Sequence, residues 1–215
     1  MQPNVLTAPN LAKLGWLTHG FGFRDTVYPP GITTVHQIHS CAVISVVGPG
    51  GDRLAEADGL VCGEGGLLVG VRTADCVPVL LADTRTQAVA AVHAGWRGTA
   101  GGIISVALRK MEEQFGTRPA DVLAAVGPSI GLCCYEVGPE VARQFATWRP
   151  ELEHATVPTK IDLQTINADQ IRSVGVTGIW VSRECTQCET ARYFSYRRER
   201  EQAGRMLSYI GTAYA

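Results

Sequence analysis

Three residues with reactive side chains stand beside apolar runs. His39 is the second histidine of the segment VHQIHS, Cys76 opens onto the run in TADCVPVLLAD, and His93 ends the run in AVAAVHAGWRG. One thiolate and two imidazoles form a donor set suited to a borderline-soft ion such as Zn2+. Three protein ligands leave one tetrahedral position for water or substrate, and zinc can lower the pKa of water there from ~15.7 to ~7. A structural zinc would close all four positions. Cys76 and His93 also read as a metal-free nucleophile and base. Plainer readings stand beside both. A thiol at a strand edge packs as a small core residue, and a histidine beside a sheet is held by hydrogen bonds. His36 lies three before His39, and in a flat strand two such residues face opposite ways. The spacings between His39, Cys76 and His93 match no finger or knuckle, so any shared site must come from the tertiary fold.

The elements that would position these residues are short. Residues 43–47, 67–71, 77–82, 88–93 and 122–126 are rich in Val, Leu and Ala and read as buried strands, with a later one at 179–182. Gly and Pro punctuate between them. Helices are expected at 99–115, where Ile104, Leu108, Met111 and Phe115 recur at helical spacing. A second is expected at 139–145, which begins with proline, and a third at 162–174, which begins with a capping-type aspartate. The polar stretch 148–160 reads as a surface loop. Strands outnumber helices in a mixed order, which favours a mixed α+β (α/β) fold with more than one sheet layer.

An apolar share of 46% supports a sizeable core, and 215 residues suit one domain spanning 1–215. A net charge of -1 gives no bulk attraction to nucleic acid or to a membrane surface. The opening MQPNVLTAPNLAKLGW lacks the basic and apolar regions of a signal peptide, and no apolar run approaches the ~20 residues of a membrane helix. Seven cysteines, two of them adjacent, do not resemble a secreted disulfide framework. Reduced thiols in a cytoplasmic protein are expected.

The segments HQIHS, EADGLVCG, TADCVPVLLAD, AVHAGWRGTAGGI, GPSIGLCCYEVG, DLQTIN and FSYRRE…GRM occur in this order. Together they closely resemble the bacterial polyphenol-oxidase or laccase-domain family of multifunctional purine nucleoside enzymes, some of them described as peptidoglycan editing factors. The resemblance runs from about Thr18 to about Tyr209. It implies a layered sandwich of mixed sheets flanked by helices, related to cysteine hydrolases. It implies a metal triad of His39, Cys76 and His93, with Zn2+ as the cofactor and Cu2+ able to enter the same site. His36 is not carried over, and Ser40 stands where the family has glycine.

The implied activities are phosphorolysis of adenosine, inosine, guanosine and methylthioadenosine, and hydrolytic deamination of adenosine. The implied partners are small purine nucleosides and phosphate, with neither nucleic acid nor membrane, in a monomer or weak dimer. A laccase in the strict sense needs more imidazoles than the five present. The chain also lacks the His-x-Glu and Pro-Cys-x-x-Cys motifs of the zinc cytidine-type deaminases, so Asp75 is the candidate proton shuttle, or else a turn carboxylate. Arg24 matches the arginine of the family's Phe-Ser-Thr-Arg-like segment, though Gly22-Phe23 departs from it, and is the expected second substrate-contacting cation. Arg97, at the start of the helix after His93, is the expected anion contact. Trp96 is a stacking surface for the base, or core packing. Glu136 is expected to line the pocket. Cys133 and Cys134 read as packing residues and Cys185-x-x-Cys188 as two ordinary thiols, because neighbouring cysteines rarely share an ion and a lone CxxC is a weak signal. Arg197 and Arg198 read as members of a buried or pocket-rim ion pair. Three other functions stay open: a cysteine hydrolase acting on a peptidoglycan precursor through Cys76 and His93, a copper-dependent polyphenol oxidase, and a non-enzymatic binding module with a closed, structural zinc site.

Overall fold

The computed structural model describes residues 4–212. The two ends of the expected 1–215 domain lie outside the described residues. A six-stranded sheet runs in the order Gly178–Val181, Val122–Val126, Val77–Asp83, Val89–Ala94, Gly59–Cys62, Val43–Val46. The outermost pair on each side is parallel and the inner pairs are antiparallel. A five-stranded sheet, Val5–Leu6, Leu17–Gly22, Met206–Thr212, Leu68–Thr73, Ile32–Thr33, packs on one face of it.

Val77–Asp83 is buried on both faces, which explains its unbroken apolar run. Alternation still sorts its side chains. Leu80 and Ala82 join Val69, Val71, Phe21 and Ile210 between the sheets. Val77, Val79 and Leu81 face the opposite way, against helices Ile103–Phe115 and Leu163–Ser173. The order sheet, sheet, helices is the layered mixed sandwich expected from the sequence.

Each expected strand is present within one or two residues. Two long strands were not expected: Leu17–Gly22 and Met206–Thr212. They carry glycines and polar residues where a buried strand would show a valine run, and they pair with each other in the five-stranded sheet. The helix expected over 99–115 is two helices, Trp96–Ala100 and Ile103–Phe115. Gly101-Gly102 divides them, with Gly102 at φ 74°, a left-handed conformation that glycine adopts without steric cost. The helix expected at 139–145 is helical only to Ala142 and continues as a 3₁₀ turn. Asp162 caps Leu163–Ser173 as expected, accepting from the Thr165 amide at 2.9 Å. The stretch 148–160 is not all surface loop, since Leu152 is buried and Thr159–Lys160 pairs with Glu136–Val137.

Candidate active site

His39, Cys76 and His93 come from three chain segments and meet at one end of the six-stranded sheet. One ligand atom from each lies within 4.8 Å of the other two. His93 is the penultimate residue of strand Val89–Ala94 and is almost wholly buried. Cys76 immediately precedes Val77–Asp83, the neighbouring strand. His39 reaches them from a loop in which it adopts φ 60°. That left-handed backbone is uncommon for a residue with a side chain, and it removes the strand geometry that would have turned His39 away. The His39 and His93 rings stand edge to face, 4.9 Å between centroids.

One residue fixes both histidines. Asp58, fully buried, accepts the His93 Nδ1 hydrogen bond at 2.8 Å. Its carboxylate also accepts from the amides of His39 at 3.0 Å and Ser40 at 2.6 Å, and from Ser40 Oγ at 2.7 Å. Its carbonyl accepts from the His93 amide at 2.7 Å. Burial opposes ionisation of Asp58, but His93 and the Ser40 donors outweigh it and hold the carboxyl down to about 2. With Nδ1 occupied, His93 offers only Nε2 to the centre, the orientation usual for a metal-bound imidazole. Ser40 supplies the hydroxyl of this network.

Burial likewise opposes ionisation of Cys76 and His93, and their mutual attraction overcomes it. The Cys76 thiol is brought down to about 6 by the two imidazoles, and His93 is raised to about 9 by the thiolate and Asp58. A thiolate is the form that serves as metal ligand or nucleophile.

The geometry fits a metal ion. The donor set is borderline-soft, the donors converge, and Gly95 leaves their meeting point clear. A Cβ at Gly95 would lie 3.2 Å from both Cys76 Sγ and His39 Cδ2. Gly95 has φ -68° and ψ 174°, which alanine adopts freely, so Gly95→Ala tests crowding rather than backbone strain. It is expected to fold normally and to weaken metal binding roughly tenfold, read by competition with a chelator. Unchanged affinity would show that the ion sits elsewhere.

The three residues open into a cavity of about 820 Å3, large enough for a nucleoside-sized ligand. Its wall includes Tyr135, Asp75, Arg72, Arg197, Arg205 and His36. Tyr135 is held neutral, its pKa pushed up to about 12 by burial and the nearby Cys76 sulfur. His36 is half exposed, 4.0 Å from Glu56.

Several expectations change. Asp75 lines the cavity at φ 87°, but its carboxylate accepts from Thr186 Oγ1 at 2.6 Å, Ser195 Oγ at 3.1 Å and the Arg197 amide at 2.6 Å. Both oxygens are committed to bracing loops, which fits the turn reading and not a proton shuttle. Arg24 does not line the cavity. Its guanidinium pairs with Glu199 at 2.9 Å and lies over the Phe194 ring. Arg97 is exposed and stacks on Trp96 at 4.3 Å, while Trp96 packs against the core, so neither lines the cavity. The helix that they begin has only five residues. The Glu136 side chain is exposed, and its carbonyl instead accepts from Arg197 at 3.1 Å. Arg197 therefore enters the cavity wall, whereas Arg198 pairs with Glu199 at 2.6 Å. Cys133, Cys134, Cys185 and Cys188 are free thiols, but they stand together. Their sulfurs form a second group, all within 4.8 Å of one another.

Sequence reasoning missed Asp58, Tyr135 and Arg72 as site residues. Asp58 stood in the quoted segment EADGLVCG, but a carboxylate before glycine reads as a turn. Only its burial reveals it.

Residues 24–213 match the family described as multi-copper polyphenol oxidoreductase laccase. A Clostridium acetobutylicum protein named purine nucleoside phosphorylase is 36% identical over 209 residues, 96% of this chain and 85% of that one. A protein named adenosine deaminase RL5, from an unknown prokaryotic organism, is 36% identical over 207 residues, 89% of this chain and 76% of that one. The crystal structure of YlmD from Geobacillus stearothermophilus superposes with a TM-score of 0.83 at 28% identity, covering 96% of this chain and 94% of that one.

Proposed function

We propose, from the premise that this chain belongs to the multi-copper polyphenol oxidoreductase laccase family, that it is a zinc-dependent purine nucleoside phosphorylase with adenosine deaminase activity. The single observation that carries the reading is the convergence of His39, Cys76 and His93 on one point at the floor of a nucleoside-sized cavity. The names of the relatives supply the reaction class. The reading takes the whole chain as one domain, active in the cytoplasm on free nucleosides and phosphate. No helix among the described residues is long and apolar enough to cross a membrane.

In phosphorolysis a phosphate oxygen bonds to C1′ of the ribose, the bond to the purine nitrogen breaks, and the base leaves with a proton. In deamination water adds at C6 of adenine and ammonia leaves. Zinc held by His39, Cys76 and His93 would supply Lewis-acid polarisation. Asp58 holds the His93 ring and the His39 loop in position for it. Tyr135, protonated and beside Cys76, is the residue placed to donate a hydrogen bond or a proton to a leaving base. The guanidinium groups of Arg72, Arg197 and Arg205 give the wall its anion-binding character. The Arg72 charge is already paired with Asp52 at 2.7 Å, whereas Arg197 and Arg205 donate to neutral carbonyls; Arg197, beside Tyr135, is the phosphate contact we test. Cu2+ would compete for the same donors. Five histidines do not furnish a multicopper centre.

The test is incubation with adenosine, with and without phosphate, followed by mass detection. Adenine formed only with phosphate, and inosine formed without it, supports both activities. No turnover of adenosine, inosine, guanosine or methylthioadenosine would end the reading. Arg197→Ala is expected to raise KM for phosphate roughly tenfold or more, the value of a charge-assisted hydrogen bond, and to leave phosphate-free deamination largely intact. An unchanged phosphate KM would remove Arg197 from the substrate contacts.

A second reading rests on the alignment of Asp58, His93 and Cys76, the order of an orienting carboxylate, a base and a nucleophile. It makes the protein a cysteine hydrolase, with a cell-wall precursor amide as one substrate class. Rapid alkylation of Cys76 in protein purified without metal, with no nucleoside turnover, would favour it. One zinc per triad, lost in Cys76→Ser, favours the first.

A further inference from the structure

The second group of donors lies apart from His39, Cys76 and His93 and plays no part in the proposed chemistry. Cys133 and Cys134 stand in a turn in which the Cys134 and Tyr135 amides both donate to the Gly131 carbonyl at 2.9 Å. Cys185 and Cys188 stand in a second turn, closed by the Cys188 and Glu189 amides on the Cys185 carbonyl at 3.2 and 3.0 Å. The Ser129–Cys185 bridge holds the two turns side by side. The Cys188 sulfur is 3.6 Å from that of Cys133 and 3.4 Å from that of Cys134.

We propose that Cys133, Cys134, Cys185 and Cys188 hold one structural zinc ion as a tetrathiolate, a second metal site in this protein. Sulfurs at the corners of a zinc tetrahedron lie ~3.8 Å apart, given Zn–S bonds of ~2.3 Å. The separations of 3.4 and 3.6 Å at Cys188 fall just inside that edge, and all four sulfurs lie within 4.8 Å of one another. Backbone donors complete the site, as the Gly131 amide donates to Cys185 Sγ at 3.2 Å. Positive charge stands beside it to offset the thiolates. Lys160 Nζ donates to the Cys133 carbonyl at 2.8 Å. The Arg198 guanidinium donates to the carbonyls of Thr186 and Gln187, at 3.0 and 2.7 Å, within the CxxC turn itself. The low prior against adjacent cysteines sharing an ion is overcome here because the turn at Gly131 aims both sulfurs at Cys188. Four protein ligands leave no open position, so the site is structural rather than catalytic.

The ion would brace the cavity without entering it. Thr186, between the two turn cysteines, donates to Asp75 at 2.6 Å, and Tyr135 directly follows Cys134. Both cavity residues are thereby fixed to a cross-link between distant segments.

Zinc content of protein purified under reducing conditions tests the proposal. Wild type is expected to hold two ions per chain. The double variant Cys76→Ala/His93→Ala is expected to hold one, and its cobalt form is expected to show the intense sulfur-to-metal absorption of four thiolates. Cys188→Ser is expected to retain only the triad ion and to melt several degrees lower, because structural metal binding contributes to folding free energy. Should Cys188→Ser fail to fold, the double variant still decides the matter. A folded Cys76→Ala/His93→Ala protein without zinc, or a mass loss showing these cysteines paired as disulfides, would overturn the proposal.

Discussion

Cys76→Ala is expected to lose nucleoside turnover by of order 10³-fold or more while keeping its fold. The loss corresponds to roughly 4 kcal/mol of transition-state stabilisation. The fold survives because one sulfur at the edge of a strand is removed, a change of about 1 kcal/mol, and the His93–Asp58 pair remains satisfied. Metal at the triad falls with activity, since two imidazoles alone make a weaker and less selective site. The measurement pairs zinc content with phosphorolysis of adenosine, with circular dichroism as the control for folding. A further variant separates the two readings of Cys76. Cys76→His retains a neutral nitrogen donor and so is expected to recover part of the metal and part of the turnover. A nucleophilic thiol has no such substitute, so recovery in Cys76→His excludes the hydrolase reading. Full turnover by Cys76→Ala sinks both.

The parts of the fold that were legible in the sequence are those in which one physical requirement dominates. Val77–Asp83 had to be apolar throughout because it is covered on both faces, and its unbroken run declared it. Asp162 declared a helix start because little else satisfies the first amides so simply. Leu17–Gly22 stayed hidden. Gly20 and Gly22 weaken the strand pattern, yet they sit where the Val5 and Tyr28 side chains press on those positions and would meet any added Cβ. The break at Gly101-Gly102 was hidden for a related reason. Helical periodicity continues through it, while the Cys41 sulfur, 2.5 Å from a Cβ at Gly101, would have to shift for a side chain there. Composition records such close approaches only as glycine.

The candidate site was legible in a different way. His39, Cys76 and His93 were named from residue types and resemblance, and no spacing rule would have joined them. Their convergence depends on the left-handed backbone at His39. Helix position and motif matching do not reveal the partners that compete for a cation. Glu199 takes Arg24, and the Trp96 ring takes Arg97. Arg197 reaches the cavity because the Glu136 carbonyl and Asp75 hold its side chain and its amide. The four cysteines were read in isolation, two as neighbours and two as a CxxC. Their meaning lies in the bridge between Ser129 and Cys185, which connects segments more than fifty residues apart.

Asp58→Asn is the sharpest test of how the site is built. The substitution keeps size and shape but replaces an acceptor carboxylate with an amide that must present hydrogens on one side. Asp58 now meets only donors: His93 Nδ1 and the His39 amide at Oδ1, and the Ser40 amide and hydroxyl at Oδ2. Whichever way an asparagine turns, its NH2 faces at least one of them. The rest follows from that clash. The His39 loop loosens, His93 loses the carboxylate that selects its tautomer, and the imidazole becomes a poorer donor through Nε2. Losing such a partner of a metal-bound histidine typically costs 10–100-fold in affinity or activity. Here two ligands depend on the same carboxylate, so the upper end is expected, about 100-fold in zinc affinity by competition titration. Linkage adds a direction in pH. The Asp58 carboxyl is held well below its ordinary value in the folded protein. Its contribution to stability is therefore complete above the unfolded pKa of ~3.9 and lost as pH falls toward about 2. Asp58→Asn removes that contribution, so the stability difference between wild type and variant should shrink as acid is added. A variant that binds zinc as wild type does, or a stability gap that widens in acid, would show that Asp58 does not organise the two histidines.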